Sequence, residues 1–505
     1  MFDYIIVQAG GKGTRMKHLT ANKPKALVPV DNLPMLFHLF RKFPAKKFII
    51  IGDYKFDVLD KYLAAFADVQ FITVNANGAS GTCGGVGQAL EYLPENAPFM
   101  LIWCDLVLPD EFSVPNETAD YIGLSVGFPS RWKYEDDIFA EECSDTCGVA
   151  GLFVFTDKSK IADVPEEGEF VRWLQSKKKT FGVIPLIRTK EFGLIEEYEK
   201  LETSRCRPFN RIEQTDDGKL IKWGIDEQGR KLAVREKAWY KMAQDIGVTQ
   251  IPRIDSFEPF IMEKINGKNI WEYDFTREQR LDILRKLVDT IKELHSKSSA
   301  PTDYFSIKNA YVDKTFARID KIRNLVPLAD DGYITVNNRK CHNIYFYRNV
   351  LENAFAKYRV PYFKFIHGDN TFCNMMLRND AVPVFIDPRG YFGFTENYGD
   401  PQYDWAKLYY SIVGDYDRFN VKKFTLEICE NSVKLDIETN GWRDVEDGFF
   451  RLLDGIVNRN EIKLIHAVIW LSLSTYAWED YDSVCGAFYN GLFYLEESLW
   501  GNKNE

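Results

Sequence analysis

A run of apolar residues at 3–9, with Tyr4, Ile5, Ile6 and Val7, leads without a break into Gly10-Gly11-Lys12-Gly13-Thr14-Arg15. A buried strand that ends in glycines opens its backbone N–H groups at the carboxyl end, with no Cβ to hold an anion away. Lys12, Arg15, Lys23 and Lys25 add positive charge to that loop. The pattern suits a phosphate cradle. It is neither GxxxxGK[ST] nor GxGxxG, which sets aside the P-loop and the dinucleotide-binding turn. Strand-like segments at 47–51, 69–74 and 99–103 alternate with stretches at 57–66 and 87–93 that suit helices. Such alternation predicts a mostly parallel sheet with helices on both faces and ligands beyond the carboxyl ends of its strands. The glycine loop, the flexible segment 78–87 and Asp105 all fall at such ends.

One core cannot hold the whole chain, because 505 residues exceed the roughly 250–300 at which soluble chains split. A net charge of −10 argues against a general nucleic-acid binder. The longest apolar stretch, 467–478, is broken by serines and is too short to span a bilayer. Nine cysteines without framework spacing, and no secretory segment after Met1, lead us to expect reduced thiols in a cytoplasmic protein. Cys143 and Cys147 lack the second pair that a zinc site needs. A polar stretch at 202–208 marks the expected boundary, giving domains at 1–203 and 204–505.

The second half begins as strands and turns: 210–214, a turn at 215–218, then 220–223 carrying Lys222, with a helix from about Leu232 carrying Glu236. Lys222 inside a strand calls for a carboxylate partner, and Glu236 is the candidate. At 276–295, Thr276 is read as the N-cap of a helix whose apolar stripe is core. The most informative stretch is 365–390, FIHGDNTFCNMMLRNDAVPVFIDPRG. Asp369 precedes Asn374 by the D-x-x-x-x-N spacing of a kinase catalytic loop, and the next strand ends at Asp387. Phosphoryl transfer needs an Asp to orient or deprotonate a hydroxyl, and Asn and Asp oxygens to hold Mg²⁺ against phosphates. Arg389 is read either as reaching an anionic group on the acceptor or as pairing with Asp400 or Asp404. Trp470, Tyr476 and Trp478, with carboxylates beside them, are read either as core or as an aromatic box for a quaternary ammonium.

GGKGTRM, HLT and KPKALVPV over 10–30 resemble the nucleotidyltransferases that join a nucleoside triphosphate to a sugar phosphate or to phosphocholine. The resemblance implies an α/β, Rossmann-like and GT-A-like mixed sheet. It implies that Gly10, Gly11, Lys12, Gly13, Thr14 and Arg15 hold the triphosphate, and that Lys25, with Arg15, stabilises charge at the reacting phosphorus. Gly81, Thr82 and Gln88 would lie near the base and acceptor, Asp105 would hold Mg²⁺, and Glu191 in EFGLIEEYEKL would be the second metal carboxylate, where the family commonly has Asp. Residues from about 208 to 500 resemble the aminoglycoside phosphotransferase and choline kinase family. This implies an α+β bilobal kinase-like domain, with an N-lobe at about 208–265 and a C-lobe at about 266–500. Lys222 would contact ATP phosphates and Glu236 would orient it. The segment 260–265, with Glu263 and Ile265, would bind adenine, Asp369 would be the base, and Asn374 and Asp387 would hold metal.

A kinase makes a phosphate monoester and a nucleotidyltransferase consumes one. The expectation is a bifunctional enzyme that phosphorylates a small alcohol with ATP, choline-like being favoured, and couples the product to a nucleotide, CTP being favoured. The conjugate would serve a surface glycan or lipid. Alternatives are a sugar or polyol kinase fused to a sugar-phosphate nucleotidyltransferase, and a pair in which one half is a regulatory nucleotide binder. Mg²⁺, the two triphosphates, the alcohol and its phosphate monoester are the expected partners; an oligomer is allowed, and nucleic acid is not expected.

Overall fold

The computed structural model describes residues 2–78, 80–115, 119–193, 195–199 and 210–500. The chain forms two compact units, Met1–Ser204 with Glu479–Tyr481, and Arg205–Trp478 with Asp482–Glu505. The expected boundary at 203/204 lies outside the described residues.

The first unit is built on a nine-stranded mixed sheet. Ile5, Ile6 and Val7 are fully buried, so the strand Tyr4–Gln8 is covered on both faces, as the centre of a parallel sheet requires. It pairs in parallel with Lys47–Gly52 on one side and Phe99–Trp103 on the other, with Ile6 opposite Ile49 and Leu101. Gln70–Asn75 extends the parallel part, while Gly148–Phe155 runs antiparallel to Phe99–Trp103 and turns the sheet mixed. The helices Phe56–Phe66 and Cys83–Leu90 arise where helix-compatible stretches were expected, the second starting four residues earlier than read. This is the Rossmann-like mixed sheet that the sequence pointed to.

The second unit opens with a four-stranded antiparallel sheet in the order Asn210–Gln214, Leu220–Gly224, Phe260–Met262, Ile254–Phe257. The helix carrying Glu236 runs over Glu227–Asp245, starting earlier than the expected Leu232. Asp226 caps it by accepting from the Gly229 N–H at 2.7 Å, so Gly229 sits in the first helical turn. The helical half follows. Thr276 caps Arg277–Lys297 in a capping box with Gln279, and Leu284, Leu287, Val288, Ile291 and Leu294 are buried, as the stripe predicted. The segment holding Asp369 joins the strand Tyr362–Phe365 to the hairpin Met375–Arg378/Val382–Phe385, and Asp387 comes directly after that hairpin. This is the bilobal kinase-like arrangement. No helix among the described residues is long and apolar enough to cross a membrane.

Candidate functional site

In the first unit the glycine loop stacks on Lys25. Gly13 has φ +63°, and a Cβ there would meet the Thr20 methyl at 3.0 Å and the Lys25 Cβ at 3.1 Å. Lys12, Thr14 and Arg15 remain exposed on the loop. Lys25 lies in the short turn Lys25–Leu27 with its stem buried, and its Nζ is bonded to Asp105 Oδ2. Asp105 follows the strand Phe99–Trp103, and its backbone carbonyl accepts from the Phe192 N–H at 3.1 Å. The pairing of Lys190–Glu191 with Leu106–Val107 then sets Glu191 beside it. Gly193 makes room for this, since a Cβ there would lie 2.0 Å from Glu191 Oε1.

Burial and the Asp105 charge push the Glu191 carboxyl up to about 7, against the pull of Lys25. Burial would lower the Lys25 ammonium, but Asp105 reverses this and holds it above its usual value. One lysine thus faces two carboxylates, and Asp105 Oδ1 is buried with no hydrogen-bond partner. Gly81 and Thr82 tie the neighbouring loop down. Gly81 has φ +89° and no room for a Cβ, which would fall 2.2 Å from the Gly168 carbonyl oxygen. The Thr82 carbonyl accepts from Gln8 Nε2 at 2.9 Å, and the Thr82 hydroxyl accepts from the Phe170 N–H at 2.9 Å. Gln88 is half-buried on the helix that follows.

In the second unit Lys222, buried in its strand, donates to Glu236 Oε1 at 3.0 Å and is bonded to Asp387 Oδ1. Burial would lower the Lys222 ammonium, but Asp387 and Glu236 together raise it, so it stays charged. Glu236 is pushed up to about 7 by burial and by Asp387, against the pull of Lys222. The expected Lys222–Glu236 pair is therefore formed, and Asp387 joins it. Asn374 Nδ2 donates to Asp369 Oδ2 at 2.9 Å and to the Asp369 carbonyl at 2.8 Å, which leaves the Asn374 amide oxygen for another partner. Burial would raise the Asp369 carboxyl, but Lys407, 2.8 Å away, and then Arg389 hold it below its usual range.

Asp404 fixes this segment by accepting from the Gly368 N–H at 2.7 Å and the His367 N–H at 3.0 Å. Asp400 accepts from the Tyr311 and Tyr358 hydroxyls at 2.6 and 2.7 Å, so both aspartates are anchors, as expected. Glu263 accepts from the Arg253 N–H and from Arg378, and Ile265 is buried.

Two readings that the sequence leaves open are narrowed. Arg389 pairs with neither Asp400 nor Asp404; it donates to the Tyr403 hydroxyl at 2.6 Å and the Tyr391 hydroxyl at 3.1 Å, because both carboxylates are taken up by other donors. Trp470 is fully buried and donates to His466 Nε2 at 3.0 Å, so it belongs to the core and to no aromatic box. Tyr476 is exposed and lies near Arg318, and Trp478 is half-buried. Sequence reasoning missed Lys407, Lys314 and Arg318; a lysine three residues after Asp404, on the same helix, was the only available signal for the first.

Each site fits a divalent cation. Asp105 with Glu191 brings together hard oxygen donors where a lysine leaves one negative charge uncompensated, and one Asp105 oxygen has no other partner; in the second unit Asp387 shares Lys222 with Glu236, and the Asn374 carbonyl accepts from the Ile386 N–H at 3.0 Å, one residue before Asp387. No group of three or more His, Cys, Asp or Glu suited to a metal occurs among the described residues, so phosphate oxygens would complete either shell, as is usual for Mg²⁺.

Residues 5–116 match the family of the MobA-like NTP transferase domain, and residues 228–423 match the phosphotransferase enzyme family. A glucose-1-phosphate thymidylyltransferase of Streptomyces griseus is 31% identical over 118 residues, which is 23% of this chain and 29% of the relative. A glucose-1-phosphate cytidylyltransferase of Salmonella typhimurium is 28% identical over 126 residues, 20% of this chain and 49% of the relative. The chain thus spans less than half the length of these curated relatives. A solved CTP:phosphocholine cytidylyltransferase of Streptococcus pneumoniae is 20% identical, covers 40% of this chain and 97% of its own, and superposes with a TM-score of 0.34.

Proposed function

We propose that this chain, in which an NTP transferase domain is joined to a phosphotransferase-family domain, carries out two consecutive reactions on one small alcohol. In the first, the hydroxyl attacks the γ-phosphorus of ATP, its proton passes to Asp369, and ADP leaves. In the second, the phosphate monoester attacks the α-phosphorus of a nucleoside triphosphate and pyrophosphate leaves. The observation that carries this reading is that each unit places one buried lysine between two carboxylates, Lys25 with Asp105 and Glu191 beside the glycine loop, and Lys222 with Glu236 and Asp387.

In the transferase half, the N–H groups of the Gly10–Gly13 backbone with Lys12 and Arg15 would receive the triphosphate, and Lys25 would face the reacting phosphorus. Asp105 and Glu191 would hold Mg²⁺, which when bound neutralises phosphate charge. In the kinase half, Lys222, oriented by Glu236, would contact the ATP phosphates. The segment around Glu263 and Ile265 would meet the adenine, and Asn374 and Asp387 would hold Mg²⁺. We take CTP as the second nucleotide. The relatives are named for thymidylyl, uridylyl, cytidylyl and guanylyl transfer to sugar 1-phosphates, which supports a sugar or polyol acceptor as the second reading. A choline-type acceptor loses its main support with the burial of Trp470. We place the product in surface glycan or lipid assembly.

Phosphorus NMR of the full chain with Mg²⁺ and ATP, each of CTP, UTP, GTP and dTTP, and separate alcohols tests this. A new monoester followed by a nucleoside-diphosphate conjugate is the expected result. If ATP and CTP bind but neither ADP nor pyrophosphate appears with any acceptor or sugar phosphate, the two-step reading fails and a regulatory nucleotide binder remains.

A further inference from the structure

The surroundings of Asp369 are unusually cationic for a site that is to receive an alcohol. Lys407, on the helix Pro401–Ile412, reaches Asp369 at 2.8 Å. Arg389 spends two N–H groups on the Tyr391 and Tyr403 hydroxyls and stacks with its guanidinium carbon 4.4 Å from the Tyr391 ring centre, leaving its other donors for a ligand. Two more cations come from a different element, the helix Lys314–Ile322. Arg318 donates to the Ser472 carbonyl and is in electrostatic reach of Arg389, Tyr391 and Tyr403. Lys314 is half-buried on the same helix, and its side chain has no hydrogen bond or ion pair among the described residues. Burial and then Arg389, Arg318 and Lys407 push its ammonium well below the usual lysine value.

Four basic side chains thus converge: Asp369 is the carboxylate acting on Arg389 and Lys407, and no carboxylate is among the groups that act most on Lys314 and Arg318. A buried cation without a counter-charge is costly, and a lysine whose strongest neighbours are three other cations is a site short of an anion. The ATP phosphates are assigned elsewhere: the groups that act most on Lys222 are Asp387 and Glu236, and neither Lys314 nor Arg318 is among them. The hydroxyl that loses its proton must lie within hydrogen-bond reach of Asp369. The cations adjoin that position, and guanidinium forks match carboxylate and phosphate oxygens.

We propose that the kinase acceptor is an alcohol that also carries an oxyanion, a carboxylate or a phosphate, and that Arg389, Arg318 and Lys314 bind that group while Asp369 receives the hydroxyl. This rests on the kinase reading of the second unit and names the class of its substrate. The phosphorylated product would then bear two anionic groups, of which the new monoester goes on to the transferase. A cationic amino alcohol is repelled by the Arg389 and Arg318 guanidinium charges.

The test has two arms. In the first, ADP release from Mg-ATP by the full chain is compared across glycerol, ethanolamine and choline on one side and glycerate and glycerol 3-phosphate on the other, the last two separating carboxylate from phosphate. The proposal expects an anionic member to turn over best, with Lys314→Gln and Arg318→Gln each raising its KM about tenfold or more and changing kcat far less. A neutral or cationic member turning over best, unaffected by either substitution, overturns it.

In the second arm, the binding of inorganic phosphate and of acetate is measured by calorimetry with the nucleotide site saturated by a non-hydrolysable ATP analogue. Oxyanion binding in the wild type that is lost in the folded Lys314→Gln/Arg318→Gln variant supports the proposal even where no alcohol in the panel reacts; equal binding by the two proteins overturns it. Asp369→Asn keeps the two readings apart. If it leaves ADP release intact, the kinase assignment falls, whereas oxyanion binding in that variant still reports on the cationic cluster alone.

Discussion

The Lys25–Asp105–Glu191 and Lys222–Glu236–Asp387 clusters have the same charge arithmetic and unrelated architecture. The first gathers at the carboxyl ends of parallel strands, where Asp105 leaves Phe99–Trp103 and Glu191 is brought in by a two-residue strand pairing. The second is assembled by a lysine inside an antiparallel strand, a glutamate on the following helix, and an aspartate that arrives after a hairpin far along the chain. In both, one ammonium serves two carboxylates, and the carboxyl with the poorer share, Glu191 or Glu236, is pushed up to about 7. Two unrelated folds have reached one electrostatic arrangement. The surplus negative charge of each suits a cation brought in with its substrate.

The largest effects should come from treating the two as independent centres. Asp369→Asn should lower monoester formation about a thousandfold and leave conjugate formation from a supplied monoester unchanged; Asp105→Asn should do the reverse. Separate phosphorus-NMR assays of the two half-reactions read this directly. Loss of both activities from either substitution would mean that the centres are not separate.

Next in size is the cost of removing the shared cation. Lys222 is 7% exposed and its removal strands two carboxylates, so Lys222→Met should lower unfolding stability by about 3 kcal/mol at pH 8. At pH 5.5 the loss should shrink, because Glu236, already pushed up to about 7, takes a proton there. Lys25→Met should show the same pH pattern through Glu191. Chemical denaturation at the two pH values checks it, and a loss independent of pH would break the parallel between the clusters.

Much of this was legible in the sequence, and the limit is physical. The strand-to-glycine pattern at 3–15 and the D-x-x-x-x-N spacing after His367 are local, and local patterns fix a turn and the residues in it. Lys222 and Glu236 are 14 positions apart on consecutive elements, within reach of a pairing argument. Of the Arg389–Lys407–Arg318–Lys314 cluster only Arg389 was legible as a candidate for an anionic group, because Lys407 and the Lys314–Arg318 pair sit on two other helices and a basic residue on a helix reads as surface until the fold buries it. Trp470 shows an ambiguity that the fold settles: the sequence admits it either as core or as part of a ligand box, and Ile465–Leu471 of its helix is buried on every side, so no face is left for a ligand. The sequence pattern places the start of the helix at Glu227 late, at about Leu232, and the Asp226 cap is what shows that Gly229 lies inside it.

A third buried carboxylate sharpens the comparison, because it has no lysine. Asp417 is fully buried and accepts from the Cys373 N–H at 2.7 Å. Burial pushes its carboxyl up to about 6, against hydrogen bonds from Cys373 and Ser411. A carboxyl raised on folding binds more protons in the native state. Its contribution is therefore fully present below about pH 4 and lost as pH rises through 6, about 2–3 kcal/mol in all. In Asp417→Asn that loss should disappear while the acceptor for Cys373 remains, so the difference in stability between variant and wild type should move in the variant's favour from pH 4 to pH 7. A constant difference across that range would show that Asp417 is ionised in the fold at acid pH.

The smallest effect separates the two glycine turns. Gly13 and Gly218 both have positive φ, +63° and +80°, so alanine strains either by about 1–2 kcal/mol. At Gly218 the nearest atom to an added Cβ is Gln214 Nε2 at 4.0 Å, and the strain is the whole cost. At Gly13 the new methyl would press on Thr20 and on the Cβ of Lys25, which carries the ammonium bonded to Asp105. Gly13→Ala should therefore lower conjugate formation by more than its stability loss explains, with pyrophosphate release falling while the protein stays folded. Gly218→Ala should lose stability alone and keep ADP release near the wild-type rate. Equal behaviour of the two variants would mean that the first loop does not set the position of Lys25, and that the lysine is held by Asp105 from the other side.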